Sequence, residues 1–238
     1  RFEFLNEWQE RDGFLLERDG SLSDEFGIEI VGPPLRREDY VEGSPWHQLT
    51  QWLRDNDARS WYAAGNYGMH VNLSRRYMSM AEQTAVVLAT HRWSALMTSI
   101  GGRRTHFAEF DTSLSPEVSF DIARVRASRQ LSGSGKYYAV HVKRNVLEFR
   151  LFRGTLAWSG FMRNIETVWA LHDYAKEKCG EFDTMHAEDW TDHTQFVRWV
   201  DAEKYPHLHA FLVAKNWIGE SPILHDTNFT YPVALMAA

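Results

Sequence analysis

The sequence predicts an α+β domain on two observations: paired short strands separated by turn residues, and helices marked by their own capping residues between and after them. At 238 residues with 44% hydrophobic and 14% aromatic side chains, the chain fits one large domain spanning 1–238 with ample material for a core. No repeat or domain boundary interrupts it.

Phe14 to Arg18 runs into the turn residues Asp19-Gly20-Ser21, and Gly27 to Val31 then reads as a second short strand closed by Pro33-Pro34. Ser44-Pro45 is an N-cap followed by proline at the first helical position, and Trp46, Leu49, Trp52 and Leu53 recur at helical spacing up to Asp55-Asn56-Asp57. Between Tyr67 and Ser74, Met69, Val71 and Leu73 alternate with His70, Asn72 and Ser74, the pattern of a half-buried strand. Ser79 with Glu82 forms a capping box for a long apolar helix that Gly101-Gly102 stops near Ile100. Asp111 to Gly135, rich in Ser, Gly, Pro and Arg, reads as a flap or functional loop. Tyr137 to Val142 and Val146 to Phe152 form a hairpin across Lys143-Arg144-Asn145, Asn164 caps a helix running to about Lys178 and closed by Gly180, and two shorter helices follow around Phe196 and after Pro206.

The lone cysteine, Cys179, excludes an internal disulfide and a multi-cysteine zinc site, which fits a reducing, cytoplasmic location. A net charge of -6 argues against nucleic acid bound through bulk electrostatics. The most apolar run, Thr84 to Ala89, is too short for a membrane span, and the first residues, with Glu3, Glu7 and Glu10, do not resemble a signal peptide, so no membrane partner is expected. Trp46, Trp52, Trp61, Trp93 and Trp169 fall at core spacing. His186 and His193 with Asp183, Glu188 and Asp192 match no zinc spacing and read as surface.

In Val146 to Phe152, alternation puts Glu148 and Arg150 on one face of a strand and Leu147, Phe149 and Leu151 on the other. A lone Glu-x-Arg suits a cross-strand ion pair on a solvated face. His70 with Asn72, and Glu29 among apolar neighbours, add further polar groups on apolar strands. The expectation is a sheet whose concave face gathers Glu29, His70, Glu148 and Arg150. Carboxylates suit magnesium and a guanidinium fork suits phosphate oxygens, a combination that reads as phosphoryl chemistry.

Gly65-Asn66-Tyr67-Gly68-Met69-His70-Val71-Asn72 resembles the Gly-x-Gly-Met-His-x-His segment of glutamine synthetases, and Leu147-Glu148-Phe149-Arg150 resembles their Glu-x-Arg strand. Asp19-Gly20-Ser21-Leu22, Gly27 to Leu35 and Glu148 to Leu156 look like the amidoligase family of that superfamily. The resemblance covers roughly residues 14 to 175, with the motifs in the family's order. It implies a glutamine synthetase-like curved antiparallel sheet backed by helices, and an ATP-dependent ligase that joins a carboxylate to an amine through an acyl phosphate. The cofactors implied are ATP and Mg2+, and the substrates a small-molecule or peptide-like carboxylate and an amine. Carried over by position, Glu29, Glu148 and His70 would hold magnesium, with His70 also reaching nucleotide phosphate. Arg150 would stabilise the transferred phosphoryl, and Asn72 stands at the second histidine of the motif. Arg153, Arg104 and Lys136, with Arg103 and Arg129, are candidates for the remaining phosphate or carboxylate contacts.

The chain departs from the pattern in three ways. It lacks the early Gly-x-Glu-x-Glu strand that supplies further metal carboxylates, Asn72 replaces a histidine, and Gly32 stands where serine is common. An alternative therefore stands beside the ligase: an inactive member of the fold serving as a binding or structural component, as a homo-oligomer or in a larger assembly. A ligase of the glutamate–cysteine kind is a third reading.

Overall fold

A computed structural model of the chain describes residues 12–18, 28–58, 60, 67–103, 105–180 and 183–218. It is mixed α+β, with helices outweighing two small antiparallel sheets. Strands β1 (Leu15–Arg18) and β2 (Ile28–Val31) pair antiparallel with Glu17 opposite Glu29. Helix α1 (Pro45–Asp55) packs on this pair. Ser44 caps it by accepting the His47 N–H, and its Leu49 and Trp46 meet Phe14, Leu16, Ile28 and Ile30.

The second sheet has the order β3 (Gly68–Ser74), β5 (Val146–Arg153), β4 (Val140–Val142), all antiparallel, so β5 is the central strand. Leu147, Phe149 and Leu151 are buried as the alternation requires. The register moves from Met69 opposite Phe152 to Val71 opposite Phe149, which places one extra residue on β5 beside His70. This bulge shifts the alternation, and Leu151 and Phe152 are both buried in consequence while Arg153 is exposed.

Helices cover the sheet. The capping box at Ser79 and Glu82 starts α2 (Met80–Arg92), buried from Gln83 onward, as expected for a central helix. The expected single helix to Ile100 is interrupted at Trp93, whose indole stacks on Trp190 at 6.0 Å and Phe196 at 5.3 Å, and continues as α3 (Ser94–Gly101), ended by Gly102 in the left-handed conformation. Arg92, almost fully buried, satisfies the carbonyls of Ser115 and Val118 at 3.0 Å each.

Two expectations are corrected. Within the stretch read as a loop, α4 (Phe120–Gln130) packs on α2 through the fully buried Ala123 and Ala127. A stripe only two alanines wide, on a helix otherwise polar or exposed, gives little amphipathic pattern to detect. The helix expected to begin at Asn164 begins earlier, as α5 (Trp158–Cys179). Asn164 is not a cap but a fully buried interior residue, its amide 3.5 Å from the Met69 sulfur. The added turn is held by Trp158 stacked on Phe161 at 5.4 Å and by Trp46 against Phe161 at 5.2 Å, contacts that also join α1 to the main core.

Gly180 ends α5 at φ 57°, and among the described residues three short helices follow where two were expected: α6 (Ala187–Trp190), α7 (Thr194–Trp199) and α8 (Pro206–Ala214). The buried Glu166 of α5 caps α8, accepting the Leu208 N–H at 2.7 Å and meeting His207 Nδ1 at 2.6 Å. Trp93, Trp190, Tyr174, Phe196 and Trp199 form one aromatic cluster, in keeping with the core reading of the tryptophans. Trp61 lies outside the described residues. Among those residues, no helix is long and apolar enough to cross a membrane.

Candidate functional site

The polar face of the β3–β5–β4 sheet converges on one carboxylate. Glu148, at the middle of the central strand, is only 5% exposed. Its Oε1 accepts from Lys143 Nζ at 2.8 Å and lies 3.6 Å from His70 Nδ1. Its Oε2 accepts from His141 Nδ1 at 3.1 Å and from Arg150 Nη1 at 3.2 Å. Three strands position these partners: His141 is the cross-strand neighbour of Glu148 on β4, Asn72 is its neighbour on β3, and Arg150 lies two residues along β5.

A second layer fixes the cations. Arg150 Nε donates to the Phe107 carbonyl at 3.3 Å. Arg103, itself buried, donates through Nη1 to the Arg150 carbonyl at 3.1 Å and stands 3.3 Å from His70 Nε2. Because a guanidinium can only donate, Nε2 of His70 accepts, and its Nδ1 carries the proton that faces Glu148. Burial pushes the His70 imidazole down, the Arg150 charge lowers it further and Glu148 only partly offsets this, leaving it at about 4. Burial alone would raise Glu148. The Lys143 hydrogen bond and the charges of His70, Lys143 and Arg150 prevail and hold its carboxyl at about 2. Among the described residues the face thus brings one carboxylate together with the cations Arg103, Lys143 and Arg150 and the His70 and His141 rings.

This face brings together His70, Asn72, Glu148 and Arg150 of the residues singled out in the sequence. It does not gather Glu29, which lies on the other sheet and is exposed, so the expected single concave face is divided between two sheets. Arg153 sits at the far end of β5 opposite Gly68, beside Gly102, and its charge helps lower Arg163, after burial, to about 10. Lys136 is exposed and lies over the Tyr137 ring at 5.0 Å. Arg104, like Asp19 and the Gly65-Asn66 start of the histidine motif, lies outside the described residues.

Two members of the face, His141 and Lys143, escaped the sequence reading, and a third, Arg103, stood only among the secondary candidates. Alternation in Val140-His141-Val142-Lys143 was the available signal, since it sets His141 and Lys143 on the face opposite the buried Val140 and Val142. The position of Arg103, from the segment after α3, had no local signal.

Among the described residues, no group of three or more His, Cys, Asp or Glu side chains is arranged to hold a metal ion. The donors at Glu148 do not suit magnesium: the single carboxylate is paired with two cations on its own oxygens, and its other neighbours are nitrogen donors. They suit an oxyanion better. Arg150 makes two hydrogen bonds, through Nε and Nη1, and Nη2 makes none among the described residues. The Lys143 side chain is 45% exposed. Compared with protein-family models, with curated proteins and with solved structures, the chain matches none.

Proposed function

We propose that the Glu148–Arg150 face binds a phosphate- or carboxylate-bearing ligand, and that the activity it serves is the ATP-dependent joining of a carboxylate to an amine that the sequence motifs resemble. The observation that carries the reading is the convergence of Lys143 and Arg150 on one buried carboxylate, with Arg103 bracing Arg150 through its carbonyl, which among the described residues leaves more cations than anions on this face. In such a ligase the substrate carboxylate attacks the terminal phosphorus of ATP, the bond to ADP breaks, and the amine then displaces phosphate from the acyl phosphate. Phosphoryl transfer of this kind needs alignment and neutralisation of developing charge more than covalent help. Arg150 and Lys143 would supply the neutralisation. Arg103 would position Arg150 through its backbone, and Glu148 would orient both Lys143 and Arg150. No step is assigned to magnesium at this face.

A second reading, a non-catalytic anion-binding member of the same superfamily, is favoured by one observation. Glu148, the carboxylate that the resemblance gives to the metal, is already bonded to Lys143 and Arg150. Calorimetric titration of ATP, with and without magnesium, into the wild type, Glu148→Gln and Arg150→Ala separates the two. Magnesium-dependent binding lost in both variants supports the ligase. Magnesium-independent binding lost only in Arg150→Ala supports the non-catalytic reading, and no binding to the wild type excludes both.

A further inference from the structure

We infer that the cleft between the β4–β5 turn and the C-terminal end of α4 is a second anion site, for a small ligand carrying one or two phosphate groups. The cleft has a volume of about 520 Å³ and is lined by Arg75, Lys143 and Arg144 together with Ser132 and Gly133, and no carboxylate lines it among the described residues. That volume lies in the range of sites for small organic ligands, roughly 300 to 1,000 Å³. Neither Arg75 nor Arg144 forms an ion pair among the described residues. Three cationic residues thus line one concavity, and of these only Lys143 is in an ion pair among the described residues, with Glu148.

Arg75 is the anchor. Its Nε donates to Gln83 Oε1 at 2.7 Å, Nη1 to the Lys143 carbonyl at 2.7 Å and Nη2 to the Leu131 carbonyl at 3.0 Å. These bonds tie together α2, the hairpin turn and the end of α4, so the guanidinium is ordered before any ligand arrives. A guanidinium has five N–H groups, and the two left over among the described residues, one on each terminal nitrogen, remain to donate to phosphate oxygens. An exposed arginine would lose side-chain entropy on binding, whereas this one has already lost it.

The end of α4 opposes an anion in one respect, since the last carbonyls of a helix carry partial negative charge. Here they are already bonded: Leu131 O to Arg75, Gln130 O to the Gly133 N–H at 2.9 Å, and Arg129 O to Ser132 Oγ at 2.7 Å. A long polyanion is disfavoured by the chain's net charge of -6. The inference stands on this geometry and does not need the ligase reading.

Titration of pyrophosphate into the full chain tests it, using wild type, Arg150→Ala, in which the sheet face is disabled, and Arg150→Ala with Arg144→Glu or Ser132→Asp added. Arg144 and Ser132 are exposed, so their variants fold, which circular dichroism verifies. Arg150→Ala still binds pyrophosphate, and its affinity falls at least tenfold when Arg144→Glu or Ser132→Asp is added. Binding to the wild type that disappears in Arg150→Ala, or that Arg144→Glu leaves unchanged in that background, would overturn the inference and leave the sheet-face proposal standing. Absence of binding at millimolar pyrophosphate would also overturn it, as would tighter binding of a single-stranded oligonucleotide than of pyrophosphate at physiological salt.

Discussion

Glu148→Gln keeps the size of the side chain and removes the negative charge to which Lys143 and Arg150 are paired. The wild-type carboxyl is held at about 2 against an ordinary 4.5, with a side chain 6% exposed and so little screened by water. At about 1.36 kcal/mol for each tenfold change in proton affinity, the charged form contributes about 3 kcal/mol to folding. The folded-state value is depressed, so this stability is fully present above pH 4.5 and is lost as pH falls towards 2. At pH 7 the variant is expected to be less stable than the wild type by about 3 kcal/mol, within the range for removing one partner of a buried ion pair. At pH 3, where the unfolded carboxyl is already protonated, the gap narrows to about half. Urea unfolding followed by tryptophan fluorescence at the two pH values measures both numbers. A gap below about 1 kcal/mol at pH 7, or one that does not narrow on acidification, would refute the view that Glu148 is the electrostatic centre of this face.

Two further predictions concern the surroundings of the site. His91 is fully buried, accepts the Asp111 N–H through Nδ1 at 3.1 Å, and is pushed down from 6.5 to about 4 by burial despite the nearby Asp111 carboxylate. Its stabilising effect is therefore complete above pH 6.5 and lost as pH falls towards 4; the wild type should lose about 2 kcal/mol more than His91→Asn between pH 8 and pH 5, and parallel losses in urea unfolding would contradict this. Gly68→Ala places a methyl group against the Arg103 guanidinium, which must leave His70 and the Arg150 carbonyl; a cost of about 1–3 kcal/mol and weaker ATP binding are expected, and an unchanged melting curve and titration would show that Arg103 does not fix Arg150.

The parts of the fold legible in the sequence are those whose cause is local. Ser44-Pro45 and the Ser79–Glu82 box start helices because their side chains satisfy backbone N–H groups within one turn, and Gly180 ends α5 because it tolerates φ 57°. Asn164 misled because its side chain answers not to its own helix but to Met69 on another element. Helix α4 was missed because two buried alanines carry too little hydrophobic contrast to mark a face.

The candidate site divides along the same line. Strand alternation alone put Glu148 with Arg150 and His70 with Asn72, since side chains two residues apart on a strand share a face whatever surrounds it. Only the tertiary structure decided that β4 brings His141 and Lys143 to Glu148, that Arg103 reaches across to brace Arg150, and that Glu29 belongs to a different sheet. The β3–β5 register and the bulge beside His70 depend on contacts between residues 72 to 85 positions apart, and no local pattern records which of the pairings buries the most apolar surface.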